Sequence, residues 1–338
     1  MNNSRKMSIY WKIFLIVFPI ITVLAALCIG RMSVSVSDML TSLKAHIFGG
    51  ILPSKQIERV LWNIRLPRIL LAFLAGAGLS AAGCTFQSLF NNPLATPDTL
   101  GVASGASFGA ALGILLGFNL LGVQCVSLFF GIAAVALTAV SGKGKSKGGL
   151  SNVVLAGIMI GSLFSALISL VKFTADVESE LPEITYWLMG NLSAANYKSL
   201  ALGSPVIVVG VIILFMLRWR LNLLPLGEKE AMSTGVNIKA LRLICVLCAT
   251  GITASCVSMC GQVGWVGLLV PHMCRMLFGN NHMSLIPSSV MLGGAFLTIV
   301  DTVARSVSAA EIPISVLTAI IGAPFFIALM RRSEGWQL

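Results

Sequence analysis

The 338-residue chain is 57% hydrophobic and only 10% charged, with a mean hydropathy of +0.93. Length alone would suggest two soluble domains, but no soluble fold hides that much apolar surface, so lipid is the solvent for most of the chain. The net charge of +11 sits in separate clusters between apolar runs, which excludes a continuous nucleic-acid face and fits topology determinants instead.

In chain order, Arg5 and Lys6 precede an apolar run from Ile9 to Gly30. It is longer than a signal-peptide core of about 7–15 residues, and Ala25-Ala26-Leu27-Cys28 carries Leu where a lipoprotein cleavage site needs a small residue, so it reads as a retained first span. Further spans are predicted near 64–89, 99–119, 122–140, 150–173, 199–217, 243–261, 264–278, 285–306 and 312–330, each a long apolar run bounded by charge or turn residues. The chain is thus expected to be an all-α membrane protein with one transmembrane domain over 1–338 and about ten helices. The eighth span is short, and its Pro271, His272 and Arg275 predict that it ends early or is broken.

Lys and Arg in short loops set the orientation. Arg5, Lys6 and Lys12, then Lys143, Lys145 and Lys147, then Arg218, Arg220, Lys229, Lys239 and Arg242, and finally Arg331 and Arg332 all fall on one side of a ten-span chain. That side is read as the cytoplasm, so both termini are cytoplasmic. The opposite side receives the acidic loop Asp176, Glu178, Glu180 and Glu183, together with Lys44, Lys55, Arg59, Arg65 and Arg68.

Span three carries Gly101, Gly105, Gly109, Gly113 and Gly117 on one helix face. Glycine is the poorest ordinary helix former, so the stripe points to tight helix packing within the chain. Ala72, Gly76 and Ser80 repeat the pattern in span two. Gly157, Gly161, Ser165 and Ser169 repeat it in span five, where the hydroxyls suit a face lining a path.

Motifs for chemistry are sparse. The pairs Cys245/Cys248 and Cys256/Cys260 lie in apolar runs without a nearby His or carboxylate, so no metal site is expected. Gly142-Lys143-Gly144-Lys145-Ser146 ends like a phosphate loop but has Ala139 where the leading Gly belongs, and a membrane helix where the strand belongs. The spans lack paired carboxylates, and the histidines are His46, His272 and His282. An intramembrane enzyme could draw only on His272 with Ser or Cys neighbours, and a secondary transporter would need membrane carboxylates beyond Asp301. Asp301 and Arg305 lie four apart and can pair, or Arg305 can stay available to an acidic partner. Within 218–242, the segment Leu226 to Val236 alternates charges with Ala, Met and Leu, predicting a short amphipathic helix stopped at Gly235.

Several segments resemble the iron-siderophore and cobalamin ABC permease family. They are Arg65-Leu66-Pro67-Arg68, Asn91-Asn92-Pro93-Leu94-Ala95-Thr96-Pro97, Leu100-Gly101-Val102-Ala103-Ser104-Gly105-Ala106, Gly264 to His272 with Arg275, Asp301 with Arg305, Glu311-Ile312-Pro313-Ile314, and Gly322-Ala323-Pro324-Phe325-Phe326. The resemblance covers nearly the whole chain. It implies a ten-helix inner-membrane permease that pairs with a second copy or a paralogue. Two ATPase subunits would bind ATP and Mg below, and an extracytoplasmic substrate-binding protein would dock above. It further implies that Arg65, Arg68 and Arg305 dock the binding protein, that Asn92, Leu94 and Ser151 form an inner gate, and that Glu228, Glu230, Ala231 and Gly235 belong to the coupling helix. That segment departs from the general importer pattern at Met232 and in the position of Gly235. The expected cargo is an iron(III)-siderophore, with haem and cobalamin as alternatives in the same family, moved by alternating access. No cofactor or metal is expected to reside in the chain itself.

Overall fold

The computed structural model describes residues 7–50, 52–142, 149–225, 234–308 and 310–332. These residues form twelve helices, here numbered in chain order: α1 (Ile9–Cys28), α2 (Val36–Phe48), α3 (Lys55–Leu89), α4 (Val102–Leu115), α5 (Leu120–Ser141), α6 (Gly149–Thr174), α7 (Glu180–Leu188), α8 (Tyr197–Leu221), α9 (Ile238–Cys260), α10 (Val266–Phe278), α11 (His282–Val307) and α12 (Ile314–Arg332). Each apolar stretch read from the sequence coincides with a helix. Among the described residues, seven helices, α1, α3, α5, α6, α8, α9 and α11, are long and apolar enough to cross a membrane, and α4, α10 and the apolar part of α12 are shorter.

Local chemistry explains where these helices begin. Asn119, Asn196 and Asn237 cap α5, α8 and α9, their side-chain oxygens accepting from Gly122, Ser199 and Ala240 amides at 2.9, 2.9 and 3.0 Å. Ser35 caps α2, accepting from the Asp38 amide at 3.1 Å while donating to the Asp38 carboxylate at 2.7 Å. Inside α3, Arg59–Arg65 winds as a π-helix just before Pro67. Proline supplies no amide to continue the ladder, and the Leu66 amide instead reaches back five residues to the Leu61 carbonyl.

The helix that carries the second predicted span begins at Lys55, ahead of the apolar run near residue 64, and α10 is short but continuous through Pro271, where a break or an early end is expected from the sequence. The acidic stretch after α6 is also partly helical: Glu180 and Glu183 occupy the first turn of α7. Asp176 precedes it, held below the usual carboxylate range chiefly by the Ser179 hydroxyl, with the Ser179 and Glu178 amides adding to the effect.

At the centre stands α3, packed by α8, α9, α10 and α11, with 83% of its apolar window buried against 17% for α6. Helices α6, α1 and α8 leave most of their surface open and form the periphery of this chain. Helices touch through small residues because hydrocarbon gives no hydrophobic gain for bulky contacts. A Cβ on Gly109 would lie 2.5 Å from the Val126 carbonyl oxygen of α5, and Gly105 and Gly113 also face α5, so these three form a packing seam between α4 and α5, whereas Gly101 and Gly117 fall outside α4 with left-handed φ and Gly101 faces α6 instead. A Cβ on Gly76 would fall 2.2 Å from the Gly293 carbonyl of α11.

The helix ends sort into two groups. The α1 C-terminus, the α3 N-terminal half and the α11 C-terminus meet at one end through Arg65, Arg68 and Arg305, and Ile314 of α12 joins the α7 and α9 ends there through Gly190 and Asn191. At the other end, α3, α8 and α10 finish and α11 starts, with Trp11 near the α1 start against Phe278 at 5.3 Å. The first helix therefore starts, and the last helix ends, at the same end of the bundle.

The seam makes a direct prediction. Gly109→Val should lower unfolding stability in detergent by about 1–3 kcal/mol through overpacking. Gly251→Ala, whose Cβ would meet only Val206 at 3.7 Å, should leave it unchanged or slightly raised.

Candidate functional site

The charged side chains that link helices lie at the two ends of the bundle. At the arginine end, Arg68 lies one turn past the π-helix and points into the α3/α11 interface. Its Nε donates to both Asp301 oxygens at 2.9 and 3.1 Å, Nη2 lies 2.8 Å from Asp301 Oδ1, and Nη1 reaches Glu311 at 3.0 and 3.2 Å. Asp301 is fully buried, so its charge is tolerated only because Arg68 forks onto it and Arg305 approaches at 3.8 Å. Glu311 reaches Arg68 from a strained left-handed backbone at φ 50, which ties the link before α12 to α3.

The sequence reading leaves Arg65, Arg68 and Arg305 available to an acidic partner, and in this chain they are not freely exposed. Their exposures are 3%, 7% and 6%. Arg65 donates to the Leu27, Cys28 and Met32 carbonyls at the end of α1, and Arg305 donates to the Ala26 carbonyl at 2.5 Å. The physical reason is carbonyl supply: α1 ends beside these guanidiniums, and its last carbonyls have no intrahelical donors. The signal that sequence reasoning missed is Glu311, a carboxylate quoted within a motif but given no role. Of the two readings of Asp301 and Arg305, the i,i+4 approach exists, but Arg68 is the principal partner of Asp301.

At the other end, the turn 91–97 follows α3. Asn91 takes a left-handed φ of 46, Asn92 accepts from the Leu94 amide at 2.9 Å, and Leu94 is 59% exposed. Ser151 lies in the first turn of α6, but its side chain falls outside the described residues. Glu228, Glu230 and Ala231 are also outside them, whereas Gly235 is described in a turn with φ 74. Sequence reasoning gave no role to His282, which touches both Ser88 and Asn222 here. Arg275 adds a neighbouring link, donating to Gln87 at 3.2 Å.

Along α6, Gly157 packs against the Thr99 carbonyl, while Ser162, Ser165 and Ser169 are exposed and donate back to carbonyls one turn earlier at 2.9, 2.9 and 3.1 Å. Hydroxyls satisfied in this way tolerate lipid and can turn to a passing solute. All eight cysteines are free, and no group of three His, Cys, Asp or Glu side chains among the described residues is placed to hold a metal ion.

Comparison with known proteins agrees across the length of the chain. A family model described as the FecCD transport family matches residues 17–332. The molybdate import system permease protein MolB of Haemophilus influenzae is 41% identical over 93% of each chain. A probable iron chelatin transport system permease protein of Helicobacter pylori is 36% identical, covering 82% of this chain and 83% of that one. A solved inward-facing conformation of a putative metal-chelate type ABC transporter superposes with a TM-score of 0.85 at 40% identity, covering 96% of this chain and all of the other.

The ion cluster predicts that Arg68→Ala, by stranding Asp301, destabilises the purified protein by about 3–5 kcal/mol. Replacing both partners, as Arg68→Met with Asp301→Leu, should recover most of that in denaturation measurements. Native-like stability of Arg68→Ala alone would show that the cluster carries no structural weight.

Proposed function

Since the chain belongs to the FecCD transport family, and is therefore a multi-pass permease subunit of an ABC transporter and not an enzyme, we propose that it imports a metal-containing solute, molybdate being the first candidate. The observation that carries this cargo is the 41% identity to a molybdate permease across 93% of both chains. The uncharged run of α6 from Gly149 to Val171, with its exposed serines, supports it physically. A passage without fixed carboxylates does not repel an oxyanion, and one without strong metal ligands lets cargo leave. An iron(III)-siderophore is the second reading, favoured by the iron chelatin relative and by the motif resemblance, with haem and cobalamin behind it.

The family implies a partner permease, an ATPase and a substrate-binding protein. In our reading two permease chains, copies or paralogues, stand side by side in the cell's inner membrane on two ATPase subunits that hold ATP and Mg. Each chain crosses ten times, with the short helices α4, α10 and α12 as full members. Both termini face the cytoplasm, a placement supported by the basic clusters and by the common end at which α1 starts and α12 stops. The arginine end then faces outward. Docking of the binding protein there through Arg65, Arg68 and Arg305 requires its carboxylates to exchange with the carbonyls and carboxylates that these arginines now hold. Asn92, Leu94 and Ser151 gate the inner mouth, Ser165 and Ser169 line the route, and the loop with Glu228, Glu230, Ala231 and Gly235 meets the ATPase. ATP-driven motion of that loop rocks the two permeases between outward-open and inward-open states.

Uptake of radiolabelled molybdate, ferric siderophore and haem into cells lacking the chain, with and without the native gene restored, tests the cargo. Molybdate uptake should fall and return. Dependence of ferric siderophore uptake alone would replace the first reading by the second, and dependence of no solute would overturn the importer assignment for this chain.

A further inference from the structure

His282, first residue of α11, joins the ends of two other helices. Its backbone amide donates to Asn222 Oδ1 at 2.9 Å, and its Nδ1 lies 2.8 Å from the same oxygen. Asn222 is oriented by its own amide nitrogen, which donates to Asn281 Oδ1 at 3.1 Å. Nδ1 therefore donates to Oδ1, while Ser88 Oγ, beside Nε2, also donates to the Cys84 carbonyl at 2.9 Å. Nε2 meets Ser88 Oγ, in the last turn of α3. His282 and Ser88 are 3% and 4% exposed, so these bonds are sheltered from competing water.

The positions of the two partners in the chain give this contact its meaning. Asn222 is the C-terminal cap of α8, where the connection to α9 begins, and Ser88 stands four residues before Asn92 in the 91–97 turn. The Asn92 amide donates to the Gln87 carbonyl at 3.0 Å, fixing the turn to the last residues of α3. A single ring thus sits within about one helical turn of each segment. This ring adds directed hydrogen bonds to the apolar packing of the α8 end on the α3 end, and a directed bond resists sliding more than apolar contact does.

We propose that His282 is a positioning residue that carries displacement of the α8 C-terminal end to the 91–97 turn through the chain Asn222–His282–Ser88. The proposal rests on the permease reading above, and goes beyond it by naming the link through which one segment moves the other. His282 touches neither solute nor nucleotide.

The test uses the complete transporter in proteoliposomes, reading radiolabelled molybdate moved per ATP hydrolysed. His282→Leu should let hydrolysis continue while the ratio falls about tenfold, the effect of losing roughly 1.4 kcal/mol from one or two buried hydrogen bonds. Ser88→Ala and Asn222→Ala each cut one side of the link and should lower the ratio in the same direction. His282→Asn, which can present a donor to Asn222, should recover part of it. If His282→Leu does not assemble, the Ser88 and Asn222 variants decide the matter. An unchanged ratio in assembled variants overturns the proposal, even when their thermal stability drops. Failure of the native transporter to move molybdate, or ferric siderophore in a parallel assay, with ATP overturns the permease reading, and this proposal with it.

Discussion

A charged arginine buried in protein must be matched, and the way Arg68 is matched determines how the rest of this bundle is assembled. Its fork onto Asp301 fixes the register of α3 against the antiparallel α11. Eight residues further along each helix the backbones meet at Gly76 and Gly293, and near the far ends His282 meets Ser88. Twenty residues separate Arg68 from Ser88, which at 1.5 Å per residue is about 30 Å. That is close to the thickness of a hydrocarbon core. The pair is therefore fastened by polar contacts where a bilayer's two interfaces would lie and by bare backbone between them, as expected where an unmatched polar group inside lipid costs several kcal/mol.

The remaining helices divide according to how they meet that pair. Helices α8, α9 and α10 pack directly on α3 and share its core, including Phe86, Ile207, Ile252 and Leu285. By contrast α6 leaves most of its surface open and touches its neighbours through Gly157 on Thr99 and through Phe164 against Phe108 and Phe130. A fixed strut beside a loosely held, hydroxyl-bearing helix suits a permease, which must keep a frame while a passage opens and shuts. The polar ends of the strut lie beside the segments to which we assign docking, gating and coupling.

Much of this was legible in the sequence because lipid imposes simple rules. Long apolar runs marked the helices, and the four-residue glycine spacing marked the α4/α5 seam. The shared motifs pointed to Arg65, Arg68, Asp301 and Arg305 before their geometry was known. Helices α2 and α7 were not found. Their apolar residues alternate with polar ones, so a hydropathy window averages them away: α2 exposes Val36, Leu40, Leu43 and Ile47 along one side, a pattern suited to a membrane interface rather than to a span. The capping pair Ser35 and Asp38 was the available signal. Long-range partners were hidden for a different reason. Nothing local in the chain says that Glu311 reaches back to Arg68, or that His282 bridges residues 194 and 60 positions away; only the packing of α3 against α11 brings them together.

The distance between spin labels at Leu70 on α3 and Met283 on α11, which are 40% and 41% exposed, tests the fixed pair most directly when measured in the assembled transporter with and without ATP. The labels lie toward opposite ends of the pair, so any sliding of one helix along the other alters their separation. The account predicts the same distance in both states. A change approaching one helical turn, about 5 Å, would contradict it and place the moving boundary inside the pair itself.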